Sequence, residues 1–285
     1  MIHMTLIDAA SLAKLIGRPG IAVVDCRFDL ASPSAGRRDY QHGHIPGARY
    51  ADLNRDLSGP VGAATGRHPL PDPSAFALRL GQLGIGDETQ IIAYDAGNGA
   101  FAARLWWLAR WLGHPQVAVL DGGFAAWTAL GHATQSGDAP EIPQAMRGIT
   151  ARVVPDAWLT SAQVVAALKD RRRLLVDARA PERFDGKVEP LDSVAGHVPG
   201  AVNFPFGRNL GPDGRFLAAA ELRRLWLQFL GAAGASDVIA MCGSGVTACH
   251  NLLALETAGL PGAKLYAGSW SEWIRDPERA VATGS

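Results

Sequence analysis

The sequence predicts an α/β protein of two tandem domains, each a mostly parallel sheet covered by helices. Two observations carry that prediction. The first is that the chain is written twice: Val23-Val24-Asp25-Cys26-Arg27 returns as Leu175-Val176-Asp177-Ala178-Arg179, and Gly43-His44-Ile45-Pro46-Gly47-Ala48 as Gly196-His197-Val198-Pro199-Gly200-Ala201. Ile91 to Asp95 then matches Val238 to Cys242, and Asp121-Gly122-Gly123-Phe124 with Trp127 matches Ala267-Gly268-Ser269-Trp270 with Trp273. Four blocks in one order, at offsets of 146 to 153 residues, mark a duplicated domain. The second observation is that each copy alternates short apolar runs with amphipathic segments, the pattern of helices laid on a parallel sheet. A length of 285 residues suits two such domains.

The elements follow in order. Asp8 is placed to cap a helix running to Gly17, and Thr160 with Gln163 makes a capping box ahead of a helix over Val164 to Lys169. The runs 21–24, 91–94 and 117–120, with 174–176, 238–241 and 264–266 in the second copy, are continuous and rich in β-branched residues. Strands buried on both faces of a parallel sheet read this way. Phe76 to Leu83 and Glu221 to Leu230 are amphipathic and predict covering helices, and Trp106, Trp107 and Trp111 fall at helical spacing, as core and interdomain packing residues would. Gly131 to Pro155 has neither period. The expected organisation is therefore a first domain over 1–135, a linker over 136–155 and a second domain over 156–285.

Composition narrows the function. Lys plus Arg and Asp plus Glu are each 27, and a net charge of zero argues against affinity built on nucleic-acid phosphates. The longest apolar stretch, Leu105 to Leu112, is broken by Arg110 and is too short to span a bilayer. The first twenty residues carry Asp8 and Lys14 within their apolar segment and show no secretory signal, so a cytoplasmic location is expected. Three cysteines (Cys26, Cys242, Cys249) with no metal-ligand spacing make neither a disulfide framework nor a zinc site.

One asymmetry between the copies carries chemistry. Where the first has Asp95-Ala96-Gly97-Asn98-Gly99-Ala100, the second has Cys242-Gly243-Ser244-Gly245-Val246-Thr247. Cys242 ends an apolar strand, small residues follow, and Thr247 to Thr257 reads as a helix. Such a strand-to-helix turn aims backbone N–H groups and the positive end of a helix at the sulfur, which favours the reactive thiolate. The same donors stabilise a negative terminal sulfur or an anionic substrate group. Most free cysteines are buried small hydrophobes; that reading suits Cys26 and Cys249, but the glycines after Cys242 are what a backbone curling around an anion requires.

Taken together, the two GH[IV]PGA blocks, the Asp-x-Arg after the first strand, the first-copy loop without a nucleophile and the second-copy CGSGVTA resemble the tandem-domain rhodanese and 3-mercaptopyruvate sulfurtransferase family, from about Leu6 to Thr283. The resemblance implies two rhodanese-like domains with the active site at their interface. It implies a persulfide on Cys242, supplied by a donor and removed by cyanide, a thiol or reduced thioredoxin, with no cofactor. CGSGVTA is similar to the mercaptopyruvate branch, thiosulfate-preferring relatives carrying basic residues after the cysteine. By the same resemblance Ser244 and His68, in Gly66-Arg67-His68-Pro69, move protons, Arg183 binds the substrate anion, and Gly243, Gly245, Val246 and Thr247 line the bound group. Two positions depart from the family pattern. The acid of the Ser-His-Asp relay falls on Asn54, leaving Asp52 or Asp56 as substitutes, and a second substrate arginine falls on Leu191.

The remaining repeated residues read as structural: the Asp25/Arg27 and Asp177/Arg179 pairs, and His44 and His197 in the turns. Trp270 is a candidate pocket wall. A Cys-x5-Arg phosphatase or arsenate reductase would need an arginine where Ala248 stands. A non-catalytic binding module would be expected to lack the nucleophile in both copies, and Cys242 speaks against it.

Overall fold

The computed structural model describes residues 2–138, 148–170 and 173–284, so part of the expected linker, residues 139–147, lies outside the described residues. The chain divides into two compact units. The first holds Met1–Gly59, Pro71–Val154 and Pro212–Phe216, and the second holds Pro60–Leu70, Pro155–Gly211 and Leu217–Ser285. Each unit therefore contains one short segment that the chain carries within the other copy.

The first unit runs β1 (Leu6–Ile7), α1 (Ala9–Ala13), β2 (Ile21–Asp25), α2 (Ala35–His42), β3 (Arg49–Tyr50), α3 (Pro73–Gln82), β4 (Gln90–Tyr94), α4 (Ala102–Trp111), β5 (Val117–Leu120) and α5 (Gly123–Ala129). Its five strands lie in the order β1-β5-β4-β2-β3, all pairs parallel. Parallel pairing needs crossovers, and the helices between the strands supply them. Asp8 caps α1 by accepting the Ser11 N–H at 2.8 Å, but α1 ends at Ala13, short of Gly17. Leu12, Val23, Ile45, Ile92, Tyr94, Leu120 and Trp127 meet in one core. Trp106, Trp107 and Trp111 are all buried on α4.

The second unit repeats the plan with β6 (Trp158–Leu159), α6 (Ser161–Lys169), β7 (Leu174–Asp177), α7 (Pro181–Phe184), β8 (Val202–Asn203), α8 (Ala219–Leu230), β9 (Val238–Met241), α9 (Thr247–Thr257), β10 (Lys264–Tyr266) and α10 (Ser269–Trp273). The sheet order, β6-β10-β9-β7-β8, reproduces the first. The Thr160/Gln163 capping box forms as expected. Apolar residues fill both faces of the sheet: Leu175, Ile239, Met241, Trp270 and Trp273 on one, Val176, Phe204, Trp226 and Val238 on the other.

The two repeated motifs turn out to be one device. Arg27 pairs with Asp25 at 2.6 Å and donates to the Gly43 carbonyl, while Arg179 pairs with Asp177 at 2.7 Å and donates to the Gly196 carbonyl. Each arginine thus ties the end of a central strand to its GH[IV]PGA turn. Both pairs are almost fully buried, and in such a setting removing one partner strands the other charge. His44 and His197 fix the turns from inside, each through Nδ1 at 2.8 Å from a backbone oxygen, that of Tyr40 and of Phe184.

Candidate functional site

Cys242 follows β9 directly and is buried in the turn to the eleven-residue helix α9. The loop curls back on the sulfur, so that the Gly245 N–H donates to Cys242 Sγ at 3.2 Å. That curl depends on glycine: Gly245 has φ +78°, and a Cβ there would lie 2.3 Å from the Ala267 carbonyl oxygen. The turn between β10 and α10 clamps the loop from its other side. Trp270 N–H donates to the Cys242 carbonyl at 3.0 Å, Ser271 N–H to the Gly243 carbonyl at 2.9 Å, and Ser269 Oγ accepts the Cys242 N–H at 3.1 Å. To do so Ser269 takes φ +53°, a left-handed conformation costly for a residue with a Cβ. Its counterpart in the first copy, at φ +55°, is Gly123.

Segment 60–70 brings His68 and Ser244 together inside the second unit. His68 Nδ1 lies 2.7 Å from Ser244 Oγ, and both residues are buried. The segment packs against the β10–α10 turn so closely that a Cβ on Gly66 would meet the Gly268 carbonyl oxygen at 2.6 Å, and the Arg67 N–H donates to Ser271 Oγ at 3.0 Å.

Two guanidiniums converge on the loop, one of which sequence reading missed. A Cβ on Gly243 would lie 3.4 Å from Arg183 Nη2 and 3.0 Å from Arg67 Nη2. Gly243 and Ser244 carry no charge themselves, and positive charge reaches the loop from Arg183 on α7, as expected, and from Arg67 in segment 60–70, which was not. No local signal exposes Arg67: Gly66-Arg67-His68 has its counterpart in Gly214-Arg215-Phe216, so the arginine occurs in both copies and does not mark the site that holds Cys242. Acids accompany the arginines. Glu189 accepts from Arg183 at 2.7 Å and lies 3.4 Å from Arg179, and Asp192 is ion-paired with Arg67 and lies 3.3 Å from Arg183. Burial pulls the Glu189 carboxyl upward, but the Arg183 hydrogen bond and charge outweigh it and hold the group below the usual carboxylate range. Asp192 is pushed the other way, chiefly by burial. Beside these residues opens a cavity of about 320 Å³ lined by Arg67, Leu191, Asp192, Ser193, Ser271, Ile274 and Arg275. Leu191, where a second arginine was expected, gives this cavity an apolar wall.

The other expectations resolve locally. Trp270 is core: it is fully buried, its indole N–H donates to the Val194 carbonyl, and the Arg179 guanidinium stacks 4.9 Å from its ring. Val246 is buried and Thr247 half-buried at the start of α9. Cys249 sits inside α9 with Sγ 3.2 Å from the Gly245 carbonyl, and Cys26 is enclosed, burial pushing its thiol well above its ordinary value. Asp56 is occupied by Arg55, Arg79 and the Asp52 N–H, and Asp52 accepts from the Asn54 and Arg55 backbone. In the first copy Asp95 takes the nucleophile's place and accepts four backbone N–H groups, from Gly97, Gly99, Phe101 and Ala102, at 2.9 to 3.2 Å. The four N–H groups favour the charged carboxylate at that position, although burial outweighs them and pushes Asp95 above its ordinary value. Among the described residues no helix is long and apolar enough to cross a membrane, and no group of His, Cys, Asp and Glu is arranged to hold a metal ion.

Such a strand-loop-helix cradle, built twice and armed with a thiol once, defines a class. The model of the rhodanese-like domain matches residues 8–130 and again 160–276, and the chain belongs to the rhodanese-like family. Over 98% of both chains it is 51% identical to a Pseudomonas aeruginosa protein named "Probable 3-mercaptopyruvate sulfurtransferase". It is 35% identical to the thiosulfate sulfurtransferase of Cricetulus griseus, over 100% of this chain and 98% of that one. The solved structure of 3-mercaptopyruvate sulfurtransferase from Leishmania major superposes with a TM-score of 0.82 at 30% identity, covering 96% of this chain and 75% of that one.

Proposed function

We propose that the chain is a sulfurtransferase that carries a sulfane sulfur as a persulfide on Cys242, with 3-mercaptopyruvate as the favoured donor. The observation that carries this reading is the convergence of Arg67 and Arg183 on Gly243, one residue from a thiol whose sulfur is already the acceptor of the Gly245 N–H. The donor's carboxylate is held by the two guanidiniums, and its sulfur faces the thiolate. The thiolate attacks that sulfur and the S–C bond breaks, its electron pair passing to the pyruvate enolate. The enolate takes a proton through the Ser244 and His68 pair, which lie within hydrogen-bond reach of each other. The outer sulfur of the persulfide, negatively charged, rests on the loop N–H groups and the α9 N-terminus. A thiophilic acceptor, such as cyanide, a small thiol or a reduced thioredoxin in the cytoplasm, then attacks this sulfur. The S–S bond breaks and the thiolate returns.

The relatives' names support the mercaptopyruvate preference, since the Pseudomonas aeruginosa protein is far more similar than the hamster thiosulfate enzyme. Thiosulfate stays as a second donor, because two guanidiniums beside the loop also suit a dianion. The test is intact mass after incubation with either donor. One added sulfur is expected in the wild type and in Cys26→Ser and Cys249→Ser, and none in Cys242→Ser. A Cys242→Ser protein that still gains sulfur or turns over near the wild-type rate would refute the mechanism.

A further inference from the structure

Two guanidiniums converging on one Cα would make a strongly positive anion site, yet a carboxylate stands between them. Asp192 Oδ1 is ion-paired with Arg67 Nη1, and Oδ2 lies 3.3 Å from Arg183 Nη2. Its side chain is only 4% exposed, so the charge is little screened by solvent. It is also fixed in place. The N–H groups of Leu191 and Asp192 both donate to Glu189 Oε1, at 3.1 and 3.2 Å, and Glu189 itself grips Arg183. The turn from Glu189 to Asp192 and the two arginines therefore form one linked unit. A donor anion held by Arg67 and Arg183 meets the Asp192 charge at close range.

We infer that Asp192 is a specificity-determining residue: a fixed internal anion that penalises negative charge arriving at Cys242, and penalises two charges more than one. The inference rests on the proposed sulfurtransferase reading for its consequence, donor choice, but its electrostatic content stands apart from sulfur transfer. Coulomb energy scales with the product of charges, so one fixed carboxylate opposes a dianion about twice as strongly as a monoanion. In rate terms, the factor lost by thiosulfate is the square of the factor lost by mercaptopyruvate. Positive charge is present at the loop, and Asp192 tempers it to suit a singly charged donor.

The test is Asp192→Asn, which keeps the shape and an oxygen for Arg67 while removing the charge, with Asp192→Ser as a second neutral variant should the first not fold. Steady-state kcat/KM is expected to rise roughly threefold for mercaptopyruvate and roughly tenfold for thiosulfate. Independently, alkylation of Cys242, followed by peptide mass, is compared for iodoacetate and the neutral iodoacetamide. The iodoacetate-to-iodoacetamide rate ratio is expected to rise roughly threefold, and this arm needs no sulfur transfer. Equal changes with the two sulfur donors, or an alkylation ratio that is unchanged or lower, would overturn the role given to Asp192. A protein that takes sulfur from neither donor, while the alkylation ratio rises as stated, would overturn the proposed function and leave the charge effect standing.

Discussion

At Arg183 a single guanidinium meets two carboxylates, those of Glu189 and Asp192, and shares the second with Arg67. If both hold the donor as proposed, losing either arginine removes a charge-assisted contact worth about 1.5–3 kcal/mol. Arg183→Ala and Arg67→Ala are each expected to lower kcat/KM for mercaptopyruvate roughly ten- to a hundredfold, mainly through KM. Unchanged kinetics in Arg67→Ala would remove that residue from the site. Glu189 offers a test by pH. Its carboxyl titrates lower in the folded protein than in the unfolded chain, so its contribution to stability is complete above the unfolded value, about 4.3, and fades as pH falls through the lower folded value. Glu189→Gln should therefore melt below the wild type at pH 7, and the gap should close as the pH drops under about 4. A gap that persists into acid would show that Glu189 acts by packing and not by charge.

Among the elements, the β10–α10 turn shows a conformation retained for a contact. Ser269 and Gly123 hold the same backbone angle in equivalent turns, but only Ser269 has a hydroxyl, and it accepts the Cys242 N–H. Ser269→Ala keeps the left-handed strain and loses the bond, whereas Ser269→Gly loses the bond and the strain together. Denaturant melts should place the glycine variant above the alanine variant by about 1 kcal/mol, and both below the wild type. If alanine and glycine melt alike, the strain assigned to Ser269 is absent. Much at this scale was legible in the residues: the six central strands stand where continuous apolar runs put them, and α9 spans the expected Thr247–Thr257. The edge strands β1, β3, β6 and β8 were not, because two residues each carry no period. The setting of Cys242 was legible as a difference between copies, since strand, glycines and helix are all local signals. Arg67 and Asp192 were not, because their part depends on a meeting of side chains 125 positions apart in the chain.

For the molecule as a whole, the informative fact is which residues belong to which unit. Residues 60–70 bring Arg67 and His68 to the unit that holds Cys242. Their counterparts, residues 212–216, are part of the other, where the Phe216 N–H donates to Asp121 at 2.8 Å and Arg215 flanks Gly122. A chain starting at residue 156 would keep the thiol and its cradle but lose the His68 and Arg67 contacts. Such a fragment is expected to take sulfur from mercaptopyruvate at least about tenfold more slowly than the full chain, the lower bound for one charged contact and one proton-transfer partner. Mixing in a fragment over 1–155 should recover part of the rate. Equal rates for fragment and full chain would make the first copy dispensable to the reaction.

That exchange of short segments also means that the copies written in the sequence and the units of the fold are not the same objects. The first copy carries Asp95 where the second carries Cys242, yet its residues 60–70 belong to the unit that holds the thiol. A cut made at the repeat boundary therefore takes part of the surroundings of Cys242 away with the other copy.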